Sequence, residues 1–281
     1  MLACAPMLPV EPNLEVRSRV PARAGANGDR RAPKPPLLFV HGGYCDAWCW
    51  EPYFLPWFAA LGYPSHALSL RGHGASGGRE SLFLAGLDDY ADDVAHTVDR
   101  FDAPPVLIGH SMGAAVIERL LPTHEVRAAA LLAPVPPLGL MGIATRLASE
   151  HPDYLIRMGE LNGGASRLSN SVLGALQPFY FSDDVEPKVL AEMPRHLSIE
   201  SPRALIDLSL RLHWQAVPRK PVPLLVMGAE GDRICTPDDV RATATHHLVD
   251  CEILPRLAHM MMLERQWERA ARKLADWLAD L

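Results

Sequence analysis

Cysteine is scarce in this chain of 281 residues: Cys4, Cys45, Cys49, Cys235 and Cys251, an odd number with no C-x-x-C spacing. That pattern argues against both a disulfide scaffold and a cysteine zinc site, and it predicts a reducing compartment. Long apolar runs are also absent. No stretch approaches the roughly 20 residues of a transmembrane helix, and Met-Leu-Ala-Cys-Ala-Pro opens the chain without a basic n-region, so the expectation is a cytoplasmic protein with no membrane span. There is no surplus of basic side chains. Lys plus Arg total 27 against 33 Asp plus Glu, a net charge of −6, which argues against nucleic acid or an anionic membrane as partner. The charge is uneven, with residues 1–36 at +3 and the remainder at −9. No internal repeat or long low-complexity segment occurs. What the chain does have is 48% hydrophobic residues, 21% charged residues and a mean hydropathy of +0.01, enough apolar side chain for a sizeable core. Its length suits one large domain or a domain with an insertion.

Six short apolar runs each open into a loop at the carboxyl end, as a mostly parallel α/β sheet requires. They are Leu37–Val40, His66–Leu70, Val106–Ile108, Ala128–Ala133, Pro223–Met227 and Cys251–Leu254. Helical periodicity separates them: Tyr90, Val94, Val98 and Phe101 line one face, and Trp267, Ala270, Leu274, Trp277, Leu278 and Leu281 another. Pro52 and Pro56 predict a broken helix over 46–60. Leu14–Val20 alternates apolar and polar residues like an antiparallel edge strand, whereas Gly25–Pro36 reads as an exposed loop. Strand-like runs stop between Val135 and Ala216, far longer than a crossover needs. The expected organisation is an N-terminal segment 1–36, a core of 37–134 and 217–281, and a helical cap over 135–216 inserted before the next-to-last strand.

Gly109-His110-Ser111-Met112-Gly113 is a G-x-S-x-G pentapeptide between an apolar strand and a helix-compatible stretch, the setting in which a sharp turn presents a serine hydroxyl. With His41-Gly42-Gly43 and Arg71-Gly72-His73-Gly74 upstream, the chain resembles the α/β-hydrolase superfamily from about residue 37 to the end, within it the bacterial serine hydrolases related to lysophospholipases, monoacylglycerol lipases and carboxylesterases. The resemblance implies the α/β-hydrolase fold, a nucleophile at Ser111, an acid after the next-to-last strand and a histidine after the last. Asp232 suits the acid, since Glu230 comes two residues early by resemblance and Asp238 and Asp239 suit a helix start. His259 is the only one of twelve histidines in the loop after Cys251–Leu254 and before the terminal helix. His246 and His247 read as helix-surface residues, and His41, His73 and His110 as loop supports. The resemblance also implies oxyanion donors at the backbone N–H groups of Gly43 and Met112, with Tyr44 left open as an alternative to Gly43.

These roles imply an acyl-enzyme with no metal and no organic cofactor, acting on a small-molecule ester and water. Serine at 111 disfavours the haloalkane dehalogenases and epoxide hydrolases of the superfamily, which place aspartate there, and Cys45 and Cys49 read as buried small hydrophobes. Tyr44, Trp48, Leu138, Leu140, Met141, Tyr154, Phe179, Tyr180, Phe181, Trp214 and Met260–Met262 offer candidates for an apolar pocket. The expected reaction is hydrolysis of a small or medium acyl or aromatic ester. The same three residues could also serve lactone or amide hydrolysis, carbon–carbon cleavage or perhydrolysis, and a non-catalytic ligand-binding member of the fold is a further alternative.

Overall fold

Apolar runs without polar alternation need cover on both faces, and the computed structural model, which describes residues 13–21, 34–162, 170–210 and 222–281, provides it. Strands β1 (Val16–Arg19), β2 (Leu37–Val40), β3 (Ser65–Leu68), β4 (Val106–His110), β5 (Ala128–Leu132), β6 (Leu224–Ala229) and β7 (Cys251–Leu254) form one sheet in the order β1-β3-β2-β4-β5-β6-β7. β1 runs antiparallel to β3, and every other pairing is parallel. Each run read from the sequence as a strand lies in this sheet. The third is displaced towards its N-terminus because Ser69 N–H goes to Glu15 O and Leu70 N–H to His41 Nε2, which ends the ladder at Leu68. The exposed-loop expectation for Gly25–Pro36 falls largely outside the described residues.

The pleat sorts side chains into two cores. Leu38, Val40, Leu107 and Leu131 pack with α2 (Leu87–Val98), α3 (Met112–Leu120) and α9 (Pro237–His247). Leu37, Phe39, Ile108 and Leu132 pack with α1 (Phe54–Ala60) and α10 (Glu268–Ala279). The broken segment before α1 is a 3-10 turn, Ala47–Trp50, started by Asp46, whose carboxylate accepts Trp48 N–H at 2.7 Å. β1 guards the sheet edge with Arg17 and Arg19, both paired to Glu51.

Between β5 and β6 lie α4 (Leu140–Glu150), α5 (Pro152–Asn162), α6 (Asn170–Tyr180), α7 (Pro187–Glu192) and α8 (Pro202–Leu210), with no strand among the described residues of that stretch. The sheet order contains one reversal. β3 lies on one side of β2 and β4 on the other, so a crevice opens between the carboxyl ends of β2 and β4, where ligands bind in such sheets.

Close backbone approach holds that crevice. A Cβ on Gly113 would stand 2.5 Å from both Val40 O and His41 O, and one on Gly109 would stand 2.5 Å from Gly113 O. Backbone oxygens cannot move aside as a flexible side chain can. Gly113→Ala is therefore expected to destabilise the fold by about 2 kcal/mol, measured as a lower denaturation midpoint at unchanged m-value.

Candidate active site

Ser111 occupies the first position beyond β4 with φ 52° and ψ −116°, a left-handed backbone that costs a residue with a Cβ on the order of 1–3 kcal/mol. It stands at the N-cap of α3, yet its hydroxyl makes no capping hydrogen bond. A serine there for helix stability would accept an N–H of the first turn; this one lines a cavity with His259 instead. Ser111 N–H donates to Leu132 O at 2.9 Å, which ties the turn to β5.

Asp232 and His259 come from the loops after β6 and β7, and meet in the buried interior. His259 Nδ1 lies 2.8 Å from Asp232 Oδ2, while Asp232 Oδ1 accepts the N–H groups of Ile234 (2.8 Å) and Cys235 (2.9 Å). Both carboxylate oxygens are thus satisfied. With Nδ1–H donating to Asp232, the lone pair of His259 resides on Nε2, the arrangement a general base requires. His110 supports the same loop by donating from Nε2 to His259 O at 2.9 Å, and the two rings pack 4.7 Å apart. Burial, reinforced by the Asp232 charge, pushes the Cys235 thiol well above its ordinary range, so it stays neutral. The competing carboxylates are placed as expected: Asp239 completes a capping box with Thr236 at the start of α9, and Glu230 is exposed.

Gly43 and Met112 line the cavity beside Ser111, and among the described residues neither N–H has a protein acceptor. Tyr44 N–H is occupied: it donates to Glu200 Oε2 at 3.2 Å. Glu200 is fully buried and also accepts Tyr90 OH (2.6 Å), Ser201 N–H (2.8 Å) and His73 Nε2–H (3.2 Å). The sequence reading missed Glu200, which belongs to no motif and precedes a helix where a polar residue has an ordinary explanation. His41 and His73 do support loops, as expected. His247 does not fit its reading as a surface residue, because its imidazole is buried against Glu118 of α3, whereas His246 is exposed.

The cavity at Ser111 measures about 190 Å³, and a second of about 330 Å³ adjoins it across a shared wall of Gly43, Tyr44, Cys45, Tyr180 and Met260. Among the described residues, neither lining includes an Asp, Glu, Lys or Arg. Tyr44, Leu140, Tyr154, Tyr180, Phe181 and Met260 line one or both, as the sequence suggested. Six expected pocket residues lie elsewhere: Phe179, Met261 and Met262 are buried in the core, and Met141, Leu138 and Trp48 lie outside both cavities. α4 turns Leu140, Ile143, Ala144 and Leu147 inward at helical spacing, which leaves Met141 exposed, and Leu138 precedes the helix at 83% exposure. Trp48 stacks flat on His196 at 4.4 Å and lines neither cavity, because the Asp46-capped turn aims it there. Trp214 lies outside the described residues.

The model of the alpha/beta hydrolase family matches residues 37–273. The chain belongs to the alpha/beta hydrolase family. A pyrethroid hydrolase from Sphingobium wenxiniae is 29% identical over 128 residues, 46% of this chain and 42% of that relative, so the chain spans less than half the length of that protein in the match. Among solved structures, an enol-lactonase from Burkholderia xenovorans LB400 (TM-score 0.68, 18% identity, 95% of this chain and 96% of that one) shares the fold. So does an esterase from Exiguobacterium antarcticum (TM-score 0.71, 16% identity, 95% of each chain).

In this alpha/beta hydrolase the loop that carries His73 is pinned by Arg71. Its guanidinium binds Asp93 of α2, at 2.7 Å from Nη2, and its N–H reaches the same carboxylate at 2.8 Å. Burial dominates at Asp93 and raises its pKa despite Arg71. Arg71→Ala would leave that carboxylate buried without its countercharge, held only by the backbone N–H of residue 71, so a loss of about 3 kcal/mol is expected. Adding Asp93→Asn should restore part of it in equilibrium denaturation.

Proposed function

We propose that the protein is a serine hydrolase that cleaves a carboxylic ester of a small or medium apolar acyl or aromatic substrate through an acyl-enzyme. Ser111 Oγ attacks the carbonyl carbon as His259 Nε2 takes its proton. Asp232 holds the imidazole in the productive tautomer and stabilises the imidazolium. Gly43 and Met112 N–H groups receive the oxyanion, each worth about 3 kcal/mol of barrier. His259 then delivers its proton to the departing alcohol, and water, deprotonated by the same nitrogen, releases the acid. The route needs no metal and no organic cofactor. The described helices between Val135 and Leu210 act as a cap over the site.

The observation that carries this reading is Ser111 itself: a strained serine at a helix N-cap that does not cap, facing the cavity that His259 lines, with His259 oriented by a fully satisfied carboxylate. The substrate class rests on the two linings, whose described residues are mostly apolar, with polar side chains limited to tyrosine hydroxyls, the imidazoles of His110 and His259, Ser111, Cys45 and the Gln177 amide. Together their volumes fall within the roughly 300–1,000 Å³ usual for small-molecule sites.

Ser111→Ala should lower kcat for p-nitrophenyl esters by roughly 10⁶ and abolish labelling by a fluorophosphonate; ester turnover at the wild-type rate would sink the assignment. Asp232→Asn, which keeps the shape but presents the wrong partner to Nδ1, should cost roughly 10⁴ in kcat. A loss below about tenfold would mean that another group orients the base.

A further inference from the structure

Tyr44 is held in a left-handed backbone, φ 65°, beside the proposed donor Gly43, and such strain persists only where surroundings over-determine it. Three contacts do so, all from the helical stretch between β5 and β6. Tyr44 N–H donates to Glu200 Oε2, Tyr44 O accepts Ser198 N–H at 3.0 Å, and Tyr44 OH accepts Asn162 Nδ2–H at 3.0 Å. Glu200 is itself fixed, since its four acceptor sites take Tyr44, His73, Tyr90 and Ser201 and its own N–H reaches Asn162 Oδ1 at 3.2 Å. It also sits close under the donor: a Cβ on Gly43 would stand 3.4 Å from Glu200 Oε2.

A buried carboxylate in that place would oppose the negative charge of an oxyanion unless something neutralises it. His73 is placed to do so. Its Nδ1 faces Arg71 O at 3.0 Å and its Nε2 faces Glu200 at 3.2 Å, so both ring nitrogens meet acceptors and only the imidazolium satisfies both. His41, 5.1 Å away, has the opposite arrangement: Nδ1 donates to Gly42 O and Nε2 accepts Leu70 N–H, which is the neutral ring.

Resting on the serine-hydrolase reading, we propose that His73 and Glu200 are positioning residues of the Ser111 site: as a charged pair they hold Tyr44, and with it Gly43 N–H, in the donor position, and the charge on His73 sets the alkaline limit of turnover. Loss of that charge leaves an unneutralised carboxylate beside the oxyanion.

The surrounding groups agree. Burial opposes the charged form of His73, but the Glu200 carboxylate outweighs it and raises the pKa, with Arg79 opposing. Burial also opposes ionised Glu200, yet His73, Tyr90 and Ser201 N–H together bring it down to about 2. Burial, then the His73 charge, pushes His41 down to about 4 despite Asp46 and Glu200. Arg71 is committed to Asp93 and Asp89. Burial, the largest effect at each, raises the hydroxyls of Tyr44 and Tyr90, so they stay neutral where His73 titrates. The sign follows: the stability due to the raised His73 is complete below the ordinary imidazole pKa and disappears as pH rises through the folded value. The share of Glu200 is lost only as pH falls through about 2.

The test is kcat for a p-nitrophenyl ester across pH, corrected for spontaneous hydrolysis, alongside ¹⁵N-histidine NMR of the wild-type protein. The expected result is an alkaline fall in kcat of at least about tenfold, the scale of one charge acting across a few ångströms, in step with deprotonation of His73. His73→Gln, which keeps a donor for Glu200 without the charge, should show the reduced rate already at neutral pH, little change in KM and no alkaline limb. Deprotonation of His73 without a change in kcat, or a limb unaltered in His73→Gln, would overturn the proposal. Should that variant fail to fold, the wild-type comparison alone decides. Ser111→Ala separates the two readings: an active Ser111→Ala removes the serine mechanism, whereas an inactive one with a His73-independent limb removes only this inference.

Discussion

The approach of two backbones with no side chain between them is the constraint on which the site depends. α3 begins directly against the end of β2, where Gly113 fits under Val40 O and His41 O and Gly109 fits under Gly113. Because the helix starts that close, the connection from β4 has one residue in which to turn, and Ser111 takes the left-handed conformation. The cost of that strain is offset by the packing of α3, whose Ala114, Val116, Ile117 and Leu120 are buried. A looser turn would let the hydroxyl fold back onto the first helical turn, as capping serines do. The same close approach brings Gly43, just beyond β2, next to Met112, at the start of α3, so that two N–H groups without protein acceptors among the described residues line one cavity.

Around this turn, hydrogen-bond satisfaction decides protonation. Each buried histidine meets a different pair of partners. His41 has one acceptor and one donor, His73 has two acceptors, and His259 has a carboxylate on Nδ1. His110 donates from Nε2 while its buried Nδ1 has no partner among the described residues. The partners therefore favour a neutral ring, a cation, a base and a neutral ring respectively, within one small region and at one pH. Burial makes these assignments firm, because a wrong proton there would leave two donors or two acceptors facing each other without water.

Much of this was legible in the sequence, for a physical reason. Strands buried on both faces are continuous apolar runs, and a turn that needs glycine on both sides of a serine leaves a pentapeptide signature. Hence six strands and the Ser111 turn could be anticipated from short windows and β1 from its alternation, whereas Asp232 and His259 could be anticipated only through the family resemblance. Glu200 could not. Its meaning comes from contacts 110 to 156 residues away, with Tyr90, His73 and Tyr44, and local sequence carries no trace of them. Met141 and Leu138 failed for a smaller reason: an apolar stretch names a helix, but only its packing fixes which stripe turns inward. Trp48 failed because one aspartate cap re-aimed a whole turn.

The helical stretch after β5 is commonly viewed by its lining, and here it contributes side chains to both cavities. Its polar contacts reach further. Asn162, Ser198 and Glu200 grip the backbone and side chain of a single residue, Tyr44, in the loop after β2. A substitution that shifts α5 or the segment before α8 would therefore reshape the pocket and move the neighbouring donor together. In the proposed mechanism, substrate shape and oxyanion geometry are thus mechanically coupled. Divergence in this stretch then has two consequences at once: a new lining must preserve the grip on Tyr44, or any gain in fit is offset by a misplaced Gly43 N–H.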